Sequence, residues 1–181
     1  MEALSSPLTR DEVAKYAYCC SILEDAVARA YRRMAFSIVE KDVKPLLLHI
    51  AYDSLKHSKV LREIAKDLSA KSKVDLEACQ KQMGEAWKKA VESAMAMVFR
   101  EKKIGAEELL TMIDDMERIE GFAGEEYLML INSRMLQVVL HEDERGLELY
   151  KKVLELIAKD EELHASILRK IKELLSSKRA R

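Results

Sequence analysis

An apolar stripe near the C-terminus carries a carboxylate and an imidazole at positions that a helix buries. Leu147, Tyr150, Leu154, Ile157, Leu168, Ile171 and Leu175 recur in steps of three and four, the register of a helix with one face in a core. Continued through its gap, the register passes through Glu161 and His164. An ionisable pair inside a packed stripe is costly unless the groups are paired or bound to metal. Glu-x-x-His is also a spacing by which one helix offers two ligands to a metal within a bundle.

The stripe has a counterpart in the first half of the chain. Leu47, Ile50, Leu61, Ile64 and Leu68 keep the same register, with Ser54 and His57 in the gap. Overlaying the two segments pairs Ile50 with Ile157, Asp53 with Asp160, His57 with His164 and Leu61 with Leu168. Copies separated by more than half the chain describe two half-bundles and not a short solenoid repeat. One pairing breaks the symmetry: Ser54 stands where the other copy has Glu161.

A chain of 181 residues fits one domain with a substantial core. Five Gly and two Pro among abundant Ala, Leu, Glu and Lys predict an all-α protein. The formal charge is −1 with both signs interspersed, which recommends neither nucleic acid nor an anionic membrane as partner. No stretch reaches the about 18 uninterrupted apolar residues of a membrane span. The three cysteines, Cys19, Cys20 and Cys79, are odd in number with two adjacent. That pattern predicts a reducing, cytoplasmic setting and no disulfide framework. A high charged fraction beside a single Asn fits a thermophilic source.

Thr9-Arg10-Asp11-Glu12 reads as a capping box opening a first helix to about Val39. Lys41–Lys44 form a turn, and Pro45 starts a second helix to about Leu68. These make a first hairpin over about 9–70. A connecting helix over about 74–103 holds Trp87 and the Met-rich run Ala94–Phe99, which could cap the bundle, cross it or meet another subunit. A second hairpin over about 105–178 follows Gly105. Short loops within each hairpin predict antiparallel partners, hence an antiparallel four-helix bundle with an additional helix in the connection. Exposed Met and aromatic residues in that added helix favour a homo-oligomer.

The first helix shows the same polar intrusion. Ala17, Cys20, Val27, Tyr31, Met34 and Ile38 define a seam that passes through Glu24. The fourth helix offers Glu125 on the seam of Phe122, Met129, Leu136 and Val139, or Glu126 on that of Met112, Met116, Ile119, Ala123 and Leu130. Aligning Arg33-Met34 with Arg134-Met135 pairs Glu24 with Glu125 and favours the latter. Glu24, His57, Glu125, Glu161 and His164 thus converge as candidate metal ligands. Oxygen and nitrogen donors of this kind suit iron, manganese or zinc. The competing reading is structural: a seam Glu paired with a basic group, and a hydrogen-bonded core His.

This arrangement resembles the ferritin-like superfamily, of the rubrerythrin and bacterioferritin type. Glu24 followed seven residues later by Tyr31, the run Asp160-Glu161-Glu162-Leu163-His164, and Gly124-Glu125 are similar to that family's ligand regions. The resemblance covers roughly 13–68 and 119–175. It implies two irons per chain, one seen by Glu125, Glu161 and His164, the other by Glu24, His57 and a share of Glu161. It implies that Ser54 removes the second bridging carboxylate, leaving an asymmetric site. It also implies ferrous oxidation coupled to reduction of peroxide or dioxygen. Three cysteines cannot make a four-Cys rubredoxin-like module, so electrons would come from a separate donor. Asp53 and Asp160 are expected to orient a His of the facing helix through its second nitrogen, with Tyr31 beside the site. The alternative is a degenerate bundle with a lost or single metal position, serving as a structural or interaction protein.

Overall fold

The computed structural model describes residues 9–69, 74–99, 103–128 and 145–179. They form an all-helical protein: α1 (Arg10–Ser37), α2 (Lys44–Leu68), α3 (Leu76–Val98), α4 (Ala106–Gly121), a π-helical segment (Phe122–Leu128) and α5 (Arg145–Arg179). No described helix is long and apolar enough to cross a membrane.

Thr9 caps α1 reciprocally with Glu12: its backbone N–H donates to the Glu12 carboxylate at 2.8 Å, and Glu12 N–H donates to its hydroxyl at 3.3 Å. Such a cap contributes about 1 kcal/mol. Helix α1 ends one turn's fraction earlier than its periodicity suggests. Ile38 turns extended (φ −72°, ψ 150°) and pairs in a parallel bridge with Ile104. Ile104 N–H donates to Ser37 O at 2.9 Å and Val39 N–H to Ile104 O at 3.2 Å. Two backbone bonds therefore tie the α1–α2 turn to the entry of α4.

Side-chain pairings fix the directions of the helices. Along α1 and α2, Asp11 meets Ser69, Ser21 meets Ser58, and Glu24 meets His57, so one chain number rises as the other falls. Along α4 and α5, Asp114 and Glu117 meet Lys172 while Glu120 meets His164. Along α2 and α5, Asp53 meets His164, His57 meets Asp160, and Asp67 meets Tyr150. Each of these three pairs is antiparallel. The predicted stripes face inward: Leu47, Ile50, Leu61, Ile64 and Leu68 on α2, and Leu154, Ile157, Leu168, Ile171 and Leu175 on α5, are all buried.

Helix α3 packs on α1, with Trp87 buried and its indole N–H donating to Cys19 O at 3.2 Å. It is broken at Gly84 (φ 86°), a conformation that L side chains rarely adopt. The single helix predicted for this stretch is thus two pieces that meet in a kink at Gly84. The expectation of unpaired cysteines is also corrected: Cys19 and Cys79 form a disulfide with Cα atoms 5.4 Å apart. Adjacent residues on a helix point about 100° apart, so Cys19 faces α3 while its neighbour Cys20 is a free, buried thiol. Closing a loop with a sequence separation of 60 contributes on the order of 4 kcal/mol in the chain-entropy account.

Candidate metal centre

Five ionisable side chains from four helices meet in the interior. Glu24 comes from α1, His57 from α2, Glu120 from α4, and Glu161 with His164 from α5. Both imidazoles are 0% exposed and the three carboxylates 3–5%. They form two groups, Glu24–His57–Glu161 and Glu120–Glu161–His164, in each of which the ligand atoms lie within 4.8 Å of one another. Glu161 belongs to both.

The geometry is that of one carboxylate spanning two imidazoles. Glu161 Oε1 lies 3.0 Å from Nδ1 of His57, and Oε2 lies 3.3 Å from Nδ1 of His164. Glu24 Oε2 lies 3.6 Å from the His57 Nδ1, and Glu120 Oε2 3.3 Å from the His164 Nδ1. The two rings stand 5.8 Å apart, centre to centre. Several of these buried atoms have no aligned hydrogen-bond partner: His57 Nδ1, Glu120 Oε1, Glu161 Oε1 and His164 Nε2. Native interiors satisfy nearly all such groups, and an exception calls for an explanation such as an ion.

The far side of each ring faces an aspartate of the opposite helix. His57 Nε2 is 3.0 Å from Asp160 Oδ2, and His164 Nε2 is 3.7 Å from Asp53 Oδ2. At 3.0 Å Asp160 is hydrogen-bonded to His57, and an outer carboxylate of this kind fixes which nitrogen of an imidazole is free to ligate. Asp53, at 3.7 Å from His164, is in charge contact only. Lys56 links the two, with Nζ 2.8 Å from Asp53 Oδ1 and 2.8 Å from Asp160 Oδ2. One lysine therefore latches both His–Asp contacts, on the solvent side of the cluster.

Electrostatics show what the bare cluster does with its charge. Burial pushes the two imidazoles toward neutrality, but the adjacent carboxylates outweigh it. His57 rises to about 10 beside Glu161 and Glu24, and His164 to about 11 beside Glu120 and Glu161. Glu120 is raised to about 8, by burial first and then by the charge of Glu161. Glu24 is raised as well, mainly by burial. Burial acts on Glu161 in the same sense, yet its hydrogen-bonding neighbours Glu120, His164 and His57 bring it below the usual range. For Asp53 and Asp160, burial is outweighed by Lys56, and both are lowered. Protons on the imidazoles and on Glu120 thus do in the bare cluster what a cation would do in a loaded one.

Four of the five ligand candidates of the sequence, Glu24, His57, Glu161 and His164, are brought together. Glu125 and its alternative Glu126 fall in the π-helical segment, and their side chains lie outside the described part of the structure. The carboxylate that α4 delivers is Glu120, which the sequence reading missed. A signal for it existed: Ile113, Met116, Glu120 and Ala123 keep the three-four step, and all are buried. The seam drawn back from Met129 and Leu136 crosses the π turn, where extra residues per turn shift the register. Gly124, within that turn, lets the backbone approach Glu161 closely, since a Cβ there would sit 3.2 Å from Glu161 Cβ. Tyr31 is fully buried, and burial followed by the charge of Glu120 holds its hydroxyl well above the usual phenol range. Ser54 is also fully buried, but its hydroxyl donates to Ile50 O of its own helix at 3.1 Å.

Compared with known proteins, the chain matches no family model, no curated protein and no solved structure.

Proposed function

We propose that this protein binds two metal ions at an asymmetric carboxylate–histidine centre and uses them for redox chemistry, with iron as the metal. One position would be held by Glu24, His57 and Glu161, the other by Glu120, His164 and Glu161. In this reading α1, α2, α4 and α5 serve as the four helices of a ferritin-like bundle, and α3 is the addition. The observation that carries it is the shared Glu161: two buried ligand groups meet at one carboxylate, amid polar atoms that lack aligned partners. Without metal, the cluster's charge is balanced by protons on the imidazoles and Glu120, and two bound cations would take their place.

The donor set of carboxylates and imidazoles suits iron, manganese and zinc. Bound iron would supply one-electron chemistry for reducing peroxide or dioxygen as ferrous ion is oxidised. The chain's own residues do the rest. Glu161 holds the two positions in register, Asp160 orients His57, Asp53 sets a negative charge beside His164, and the apolar seams exclude water around them. Electrons come from a separate donor protein or small reductant.

Anaerobic titration with ferrous ion, followed by elemental analysis of the desalted protein, tests this. About two irons per chain are expected, with consumption of added peroxide by the loaded protein. Glu161→Ala should retain none. Equal iron in Glu161→Ala and wild type would sink the proposal.

A further inference from the structure

A cleft of about 340 Å³ opens beside the cluster, between α5 and the junction of α4 with the π-helical segment. Its lining includes Glu120 and Glu161, both more than nine-tenths buried; Oε1 of Glu120 lacks a hydrogen-bond partner, while Oε1 of Glu161 lies 3.0 Å from His57 Nδ1. Its walls are small: Gly121, Gly124, Ala158 and Ala165. A Cβ added at Gly121 would meet nothing within 4 Å, so the space beside it is real. Exposed Glu162 and Arg169 complete the lining, giving three carboxyl groups and one guanidinium, a balance that favours cations over anions.

At their Nε2 atoms, the two imidazoles are screened by Asp53, Asp160 and the Lys56 latch between them. A cation arriving there would meet an ammonium group already seated on both aspartates. Of the described residues that line the small-walled cleft, Arg169 alone is cationic, and it is exposed. Six waters at about 30 Å³ each need roughly 180 Å³, so the cleft has room for a fully hydrated divalent ion.

We propose that this cleft is the port through which hydrated divalent cations reach the cluster, kept open by the small residues at 121, 124, 158 and 165, with Glu120 and Glu161 as the first ligands met. The inference rests on the two-metal reading above. It adds a route and an order: the Glu120–Glu161–His164 position fills first, and the Glu24–His57 position is supplied through it.

Loading of the full-length apo protein with Co(II), followed by stopped-flow absorbance, tests the route. Ala165→Met and Gly121→Leu each place a larger side chain in the cleft without removing a ligand. Both should slow uptake by about tenfold or more while the final Co(II) per chain stays at the wild-type value, with far-UV circular dichroism reporting the helical fold. The two variants are independent, so failure of one to fold leaves the other decisive. Wild-type uptake rates in the folded variants would overturn the port while leaving the metal centre intact. A wild-type protein that takes up no Co(II) would overturn the metal reading and the port with it.

Discussion

The two matching helices, α2 and α5, hold the same residues at two of three positions around the cluster, Asp53/Asp160 and His57/His164, and differ at the third. On α5, Glu161 stands between both imidazoles, 3.0 Å from one and 3.3 Å from the other. On α2, Ser54 occupies the matching place and turns its hydroxyl back to Ile50 O at 3.1 Å. The flanking Asp and His pairs are crossed, Asp160 to His57 and Asp53 to His164, as two-fold related copies require. The difference teaches that a duplicated scaffold need not carry a duplicated site. The frame of orienting groups is kept on both sides, while the bridging carboxylate is kept on one.

The largest effect expected from breaking this comparison is loss of one half at a time. Glu24→Gln removes a ligand unique to one position, and Glu120→Gln a ligand unique to the other. Each should lower Co(II) from about two to about one per chain in an equilibrium titration, with the remaining ion's visible spectrum differing between the two variants. Loss of both ions in either variant would show that the positions act as one unit.

Restoring symmetry is the next test. Ser54→Glu places a second carboxylate inside the cluster. Without metal it should cost several kcal/mol, read as a lower melting temperature in calorimetry. With metal, the stability should recover and the two stepwise affinities should draw together in isothermal titration. A metal-free variant as stable as wild type would mean that Ser54 does not face the cluster at all.

The smallest effect belongs to the latch. Lys56→Met frees Asp53 and Asp160, and should weaken metal binding about tenfold, the lower range for loss of an outer-shell contact. Lys56→Arg should recover part of the loss. Unchanged affinity in Lys56→Met would assign the lysine to the surface alone.

Much of this was legible because helical periodicity reports burial directly. A three-four step that continues through Glu24, His57, Glu161 and His164 already places those groups inside, and they are buried. The same reasoning passed over Glu120, because the seam was drawn through Glu125 across the π-helical segment at Phe122–Leu128, where more residues per turn shift the register; the side chain of Glu125 lies outside the described residues. The cysteines failed for another reason. The parity and adjacency of Cys19 and Cys20 say nothing of which face of α1 meets α3, and it is that meeting which pairs Cys19 with Cys79. Gly84 likewise gives no sign in the sequence that it will take φ 86° and not simply weaken a helix.

Apolar spacing, capping residues and the internal similarity were enough to establish an all-helical chain with matching stripes on α2 and α5 and polar groups on their buried faces. These are local properties, set by 3.6 residues per turn and by the cost of leaving apolar side chains in water. What depended on the fold in three dimensions was the meeting of those faces. Which carboxylate of the fourth helix arrives at Glu161, that Lys56 seats itself on two aspartates from different helices, and that a small-walled cleft opens at Glu120 follow from contacts between distant segments. Such contacts are set by packing geometry, and no single stretch of sequence encodes them.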